Sequence, residues 1–166
     1  VNISLLSAQF AVRSLSAADI PEILRLCEGN PEYYRYCPPP VSAETIRSDL
    51  AAMPTGKADA EKYDLGFCQN GRLAAVMDLL CRYPDDETVL IGFFMVDRSL
   101  QGAGVGSRVI SDCLQYLKSI GFARARLGYM KGNPQPKAFW EKLRFAPTGA
   151  EHARGHGTVV VMERAL

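Results

Sequence analysis

The sequence predicts a single α/β domain (α+β in its layering) on a mixed, largely antiparallel sheet. Three observations point there. Strand-like and helix-like segments follow one another as β-α-α-β-β-β-α-β-α-β-β, with no internal repeat and no linker. An Asn70-Gly71 pair between YDLGFCQ and RLAAVMDLLCRY is the strongest hairpin signal in the chain. The third is the glycine-rich QGAGVGS, residues 101–107, between an apolar run and a long amphipathic stretch.

The elements follow in order. FAVRSL reads as a short strand, and Ser16 with Asp19 three residues on reads as a helix start. Ile20, Ile23, Leu24 and Cys27 recur at helical spacing, and Gly29-Asn30-Pro31 is expected to stop that helix. Tyr33, Tyr34 and Tyr36 then fall in a predicted loop ahead of Pro38-Pro39-Pro40. A second helix is expected from Ser42 to about Met53, with Ile46, Leu50 and Met53 on one stripe and Pro54-Thr55-Gly56 ending it. Residues 57–62 are polar and read as a loop.

The hairpin comes next, then a turn at Pro84-Asp85-Asp86 and ETVLIGFFMV, apolar on both faces as a central strand should be. Gly92 inside that run marks a bulge or a close backbone approach. Val105, Val109, Ile110, Cys113, Leu114, Leu117 and Ile120 trace a wide helical stripe closed by Gly121. ARARLGYM reads as a strand, Asn133-Pro134 opens a helix to about Leu143, and FAPTG leads to a last strand, TVVVMER.

Bulk properties narrow the function. At 166 residues the chain is long enough for one domain with its own core. A charged fraction of 22% and a net charge of +1 give no support for a nucleic-acid or membrane-surface partner. No apolar run reaches the roughly 20 residues of a membrane-spanning helix, and VNISLLSAQF does not resemble a signal peptide. Five cysteines without a C-x-x-C pair read as buried thiols in a reducing compartment, so the expected location is the cytoplasm. His152 and His156, in the glycine-flanked EHARGHG, read as loop residues bordering a pocket, and no metal site is expected.

A glycine-rich turn between strand and helix suits a phosphate, because the helix N-terminus offers free N–H groups and partial positive charge. A dinucleotide fingerprint fails here: its third glycine position is Ser107, and no acid stands in 121–129. A P-loop fails too, since Ser107-Arg108 replace Lys-Ser/Thr. A plain tight turn stays open, although it would need one glycine and not three.

What remains is Q-x-x-G-x-G, Gln101-Gly102-Ala103-Gly104-Val105-Gly106, after a strand ending in Val96; about 30 residues on comes NPQPKAFWEKLRF. With these two motifs in this order, the sequence resembles the GNAT superfamily of acyl-CoA-dependent N-acyltransferases over nearly its whole length. The resemblance implies helices on both faces of a sheet splayed to admit acetyl-CoA as cosubstrate. It implies that backbone N–H groups from Gln101 to Gly106, with Ser107 in the first helical turn, wrap the pyrophosphate. Met95 and Val96 would pair through their main chains with the pantetheine arm, and Asn133 would help to hold it. Members commonly carry a tyrosine acid where this chain has Trp140; indole cannot release a proton. Either Trp140 or Phe139 would pack on the arm while the other faces the core, and Tyr129 or water would protonate the leaving thiolate.

Acetyl transfer needs a neutral amine, an oxyanion donor and a proton for the thiolate. The resemblance makes a main-chain N–H near Val96 the donor. For the base the sequence offers Asp78, on an apolar strand face that would raise its pKa, and Glu87 at the start of the central strand. Asp78 as a carboxylate in a structural hydrogen bond stays open. Tyr33, Tyr34 and Tyr36 are expected at the acceptor pocket or packed between helices and sheet. The expected function is N-acetyl transfer to a primary amine of a small molecule or a peptide; the alternative is a non-catalytic acyl-CoA sensor. No partner beyond the acceptor is implied, and a homodimer stays open.

Overall fold

Asn70 and Gly71 both take positive φ, 52° and 76°, and this turn folds two long strands against each other. In the computed structural model, which describes residues 1–53, 59–155 and 157–166, those strands are β2 (Glu61–Gln69) and β3 (Arg72–Cys81). The remaining strands are β1 (Ala11–Ser14), β4 (Thr88–Val96), β5 (Arg124–Met130), β6 (Ala146–Arg154) and β7 (Gly157–Ala165). Among the described residues they form one sheet of order β1-β2-β3-β4-β5-β7-β6. Only β4 and β5 run parallel, and they pair over Thr88–Ile91 against Arg124–Leu127 alone.

Helices cover both faces, as the periodicities require. On one face α1 (Ile20–Glu28) and α3 (Ala43–Ala51) bury Ile20, Ile23, Leu26, Cys27 and Ile46 against Leu73, Val76 and Met95. On the other, α4 (Val105–Ser119) sets its apolar stripe on Phe67, Met77, Leu79 and Leu127, joined by Trp140 of α5 (Pro134–Lys142). Ser16 and Ser42 each build a capping box, with Asp19 and Thr45 as reciprocal partners.

The structure corrects several boundaries. Pro31 does not end helical structure but begins α2 (Pro31–Tyr36), because its fixed φ and missing N–H suit the first position of a helix. The three tyrosines therefore sit on a helix and not in a loop. Met53 lies past the end of α3 and is 63% exposed, and Ile120 caps α4 at 45% exposed, so neither continues its stripe. Glu61 and Lys62 belong to β2, while Pro54-Thr55-Gly56 lies outside the described residues. His152 is on β6, paired with Val159, and not in a loop; His156 lies outside the described residues.

Phe67, fully buried at the centre of the larger core, fixes the packing of β2 beneath the neighbouring elements. Phe67→Ala is expected to cost about 3–5 kcal/mol, read from the shift of a urea unfolding midpoint at unchanged slope.

Candidate active site

The site grows from the point where β4 and β5 part. Asp97 N–H donates to Ala74 C=O at 2.8 Å, so backbone alternation turns the main-chain groups of Met95 toward β3 and those of Phe94 and Val96 toward the gap. Of the two strand-end residues expected to face a ligand, Val96 turns its main-chain groups to the gap, whereas those of Met95 pair with β3 and its side chain is buried.

The Val96 carbonyl is already engaged. It accepts from Asn30 Nδ2 at 3.2 Å and from Gln101 Nε2 at 3.1 Å, which fills both lone pairs. Gln101 Nε2 also donates to Asn30 Oδ1 at 2.6 Å, and Asn30 Nδ2 to Leu26 C=O at 3.0 Å. The Gln101 side chain thus ties the loop to α1 and β4. The Phe94 N–H and C=O and the Val96 N–H are the groups turned to the gap. Asn30 was not singled out in the sequence; its one signal is a polar residue between a helix end and a proline.

The three glycines have distinct reasons. Gly102 and Gly104 take φ of 78° and 80°, which side chains resist. Gly106 lies inside α4, where a Cβ would come within 3.2 Å of both Phe139 and Val96. The first turn of α4, with Val105, Gly106 and Ser107, has neither a side-chain cap among the described residues nor an acid of its own. Its N–H groups are left for an anion. Two cations not singled out in the sequence flank the loop: Arg108 donates to Ala103 C=O at 2.9 Å and Arg98 to Gln101 Oε1 at 3.1 Å.

On α5, buried Asn133 caps the helix by accepting from Gln135 N–H at 3.2 Å. Phe139 and Trp140 both lie 6.1 Å from Phe94 between ring centroids, but Phe139, half-buried and stacked at 20°, is the one set against Gly106 and the loop, beside the gap. Trp140 turns inward, buried edge-on to Phe145 at 5.3 Å. Of the two arrangements open in the sequence, the structure has Phe139 at the gap and Trp140 in the core.

Asp78 lies on the α1–α3 face of β3, directly across from Asp64 of β2. One carboxylate oxygen, Oδ1, is buried with no hydrogen-bond partner among the described residues. The other lies 2.9 Å from where a Cβ on Gly92 would stand. Gly92 is the unmatched residue of a β-bulge, since Asp78 opposes Phe93 and Leu79 opposes Ile91. It is also the first residue of β4 beyond the pairing with β5. Burial pushes the Asp78 carboxyl up to about 6; Lys62 opposes the rise, and Asp64 and Asp49 add to it. Lys62 itself is held 3.1 Å from Asp64.

The other expected residues divide. Glu87 is exposed at the far end of β4, 3.4 Å from Arg124, and stands apart from Gly92 and Asp78. Tyr129, past the end of the β4–β5 pairing, lines a hollow of about 470 Å³ with Asn133, Lys137 and Val160, and packs on the core opposite Asp78. Tyr33 meets Phe93 edge-on at 5.6 Å and Tyr34 at 5.0 Å, and burial raises the pKa of both phenols, which stay neutral. These two both pack and wall the Asp78 side; Tyr36 is half-buried at the end of α2.

The sequence profile of the Acetyltransferase (GNAT) family matches residues 25–145. No curated protein sequence matches. Among solved structures, an acetyltransferase from Thermus thermophilus aligns with TM-score 0.75 at 20% identity, covering 93% of this chain and 96% of that one. The ribosomal-protein-S18-alanine N-acetyltransferase of Escherichia coli aligns with TM-score 0.63 at 19% identity, over 93% and 92%. The PaiA N-acetyltransferase of Thermoplasma acidophilum, in complex with coenzyme A, gives 0.64 at 14%, over 93% and 98%. At these identities the structures establish the fold. The profile establishes that the chain belongs to the acetyltransferase (GNAT) family and is an acyltransferase drawing on a CoA thioester.

The positions of the two α5 aromatics predict separable effects. Phe139→Ala is expected to weaken coenzyme A binding about tenfold or more by calorimetry, through lost apolar contact at the gap. Trp140→Phe is expected to cost about 1–3 kcal/mol in urea unfolding, a smaller loss than full truncation, with coenzyme A affinity nearly unchanged.

Proposed function

From that membership we propose that the chain, as one catalytic domain, transfers an acetyl group from acetyl-CoA to a primary amine of a small molecule or a peptide. The attack is direct, with both substrates bound. One observation carries the reading: a half-buried carboxylate, Asp78, reaches the rim of the gap where β4 and β5 part.

The residues divide the work. The amides of Gly102 to Ser107 and the uncapped start of α4 hold the pyrophosphate. The arm of acetyl-CoA runs along β4 against the main-chain groups of Phe94 and Val96, as an added strand does. Phe139 supports it from the side, and Asn133 fixes the start of α5 beside it.

Free alkylamines are protonated at neutral pH, so the acceptor arrives as a cation. Asp49, Asp64 and Asp78, set against Lys62 and the more distant Arg154, favour a cation on that face, with Tyr33 and Phe93 as its apolar wall. Asp78 takes the ammonium proton at Oδ2. The freed lone pair attacks the thioester carbon, and a main-chain N–H of the gap stabilises the oxyanion. Collapse breaks the C–S bond; the sulfur leaves as thiolate and takes a proton from Tyr129 or water, and the nitrogen gives up its second proton to that donor through water, which leaves a neutral amide and a free thiol. Glu87, tied to Arg124 at the surface, is the weaker base candidate.

A panel of spermidine, lysine and an alanine-initiated peptide with acetyl-CoA, read by mass spectrometry, tests the activity. Tight acetyl-CoA binding with no acetylated product from any amine would point to a sensor instead.

Coenzyme A at about 100 times its dissociation constant should stabilise the protein by about 2.7 kcal/mol. Gly104→Val is expected to abolish that thermal shift while the apo protein stays folded, because a branched side chain resists positive φ and crowds the loop.

Asp78→Asn is expected to lower turnover about 100-fold or more with acetyl-CoA affinity kept. In the parent, activity should rise with pH through about 6 as the carboxylate ionises. Stability runs the other way: a carboxyl raised above its unfolded value favours the fold while protonated and loses that contribution as pH rises from about 4 through 6. Asp78→Asn should therefore melt higher than the parent at pH 8, and the difference should close toward pH 4. Undiminished turnover in Asp78→Asn removes Asp78 as the base.

A further inference from the structure

We infer that Gly92 is a positioning residue for the base: its missing side chain is the opening through which Asp78 Oδ2 reaches the gap. The inference rests on the assignment of Asp78 as base and extends it to a second strand.

Three observations carry it. A Cβ on Gly92 would stand 2.9 Å from Asp78 Oδ2, closer than such contacts occur, with Asp78 Cγ tight at 3.3 Å and Leu80 Cδ1 in ordinary contact at 3.4 Å. Gly92 is itself exposed, so the space above it opens to solvent, while Asp78 Oδ1 is sealed without a partner among the described residues. The bulge places this residue, out of register with β3, at the first step of β4 past its pairing with β5. A carboxylate rooted on β3 thereby reaches a reaction gap that β3 does not border.

The φ of Gly92 is not among the positive values of the described residues, so this glycine is required by space and not by backbone conformation. That distinguishes it from Gly102 and Gly104. It also means that an alanine is tolerated by the main chain. The colliding atom is the tip of a side chain, so in Gly92→Ala the protein folds and the carboxylate gives way. The charged groups around it are Lys62 and Asp64 from β2 and Asp49 from α3. Any displacement changes its distance from all three, and its ionisation moves with it.

The test is a pair of cycles, Gly92→Ala in the parent and in Asp78→Ala. Turnover is measured with the best acceptor of the amine panel, and the carboxyl is followed by ¹³C NMR of Cγ-labelled aspartate, assigned by the signal lost in Asp78→Asn. In the parent, Gly92→Ala should lower kcat about 10-fold or more with the acetyl-CoA KM within about twofold, and should move the Asp78 titration midpoint. In Asp78→Ala the same methyl meets only Leu80 Cδ1 at 3.4 Å, an ordinary contact, so it should change neither kcat nor melting temperature.

An equal loss of kcat in both backgrounds would overturn the inference, because the methyl would then act on the main chain of the bulge. An unchanged kcat and titration in the parent would overturn it as well. Full turnover in Asp78→Ala is a different failure: it removes the base assignment, and the positioning role with it. The NMR midpoint and melting cycle then show separately whether the steric contact was real.

Discussion

Everything at the candidate site depends on a pairing that stops. β4 and β5 share four residue pairs and part after Ile91, so the hydrogen-bonding edges of Phe94 and Val96 face a space inside the sheet. Exposed strand edges invite pairing, and in the proposed reading this one takes the strand-like arm of acetyl-CoA. Asn30 and Gln101 saturate the Val96 carbonyl and fix where the strand ends. Phe139, lodged against Gly106 and Phe94, keeps α5 beside the opening. Remove the parting and the loop, the helix start and the aromatic stack would have nothing to serve.

The same parting separates two electrostatic environments. On one side the start of α4 presents uncapped N–H groups with Arg98 and Arg108 near the loop, a setting that favours anions. On the other, Asp64 and Asp78 lie directly opposite across β2 and β3, with Asp49 above them and Lys62 drawn to Asp64. Two like charges across a strand pair disfavour joint ionisation, and burial adds to the cost for Asp78. Burial raises all three carboxyls, but Lys62 is held by Asp64, and Asp78 is the one pushed up to about 6. In the proposed reaction the anionic cosubstrate and the cationic amine are thus drawn to opposite margins of one gap.

Much of this is legible in the chain, for reasons that can be traced. The hairpin at Asn70-Gly71, the capping boxes and the stripe on α4 are local signals, and local physics suffices to form them. The face and raised pKa of Asp78 follow from period-two counting. The rest needed tertiary information. Helix α2 is six residues long and starts at the proline that looked like a stop, because proline is a poor interior residue but a good first one. Strand β6 is exposed along its whole length, so it has no alternating pattern to betray it, and the sequence around His152 looks like loop. Asn30 acts through contacts 66 and 71 residues away, which no spacing rule detects.

The aromatic pair on α5 shows how packing decides a chemical question. Adjacent helical residues point about 100° apart, so only one of Phe139 and Trp140 can face the gap. Trp140 goes inward because its larger surface fills the core beside Phe145, and Phe139 is left against Phe94 and the loop. Neither ring can release a proton, so α5 supplies no acid at the position that the family resemblance marks for one. The proposed reaction tolerates that loss. A CoA thiolate, with a thiol pKa not far above neutral, is a competent leaving group, and Tyr129 stands on β5 past the parting at the wall of an open hollow. In the proposed reaction the demanding proton is the one on the incoming ammonium, and the half-buried carboxylate of Asp78, admitted by a glycine on the neighbouring strand, is the group proposed to take it.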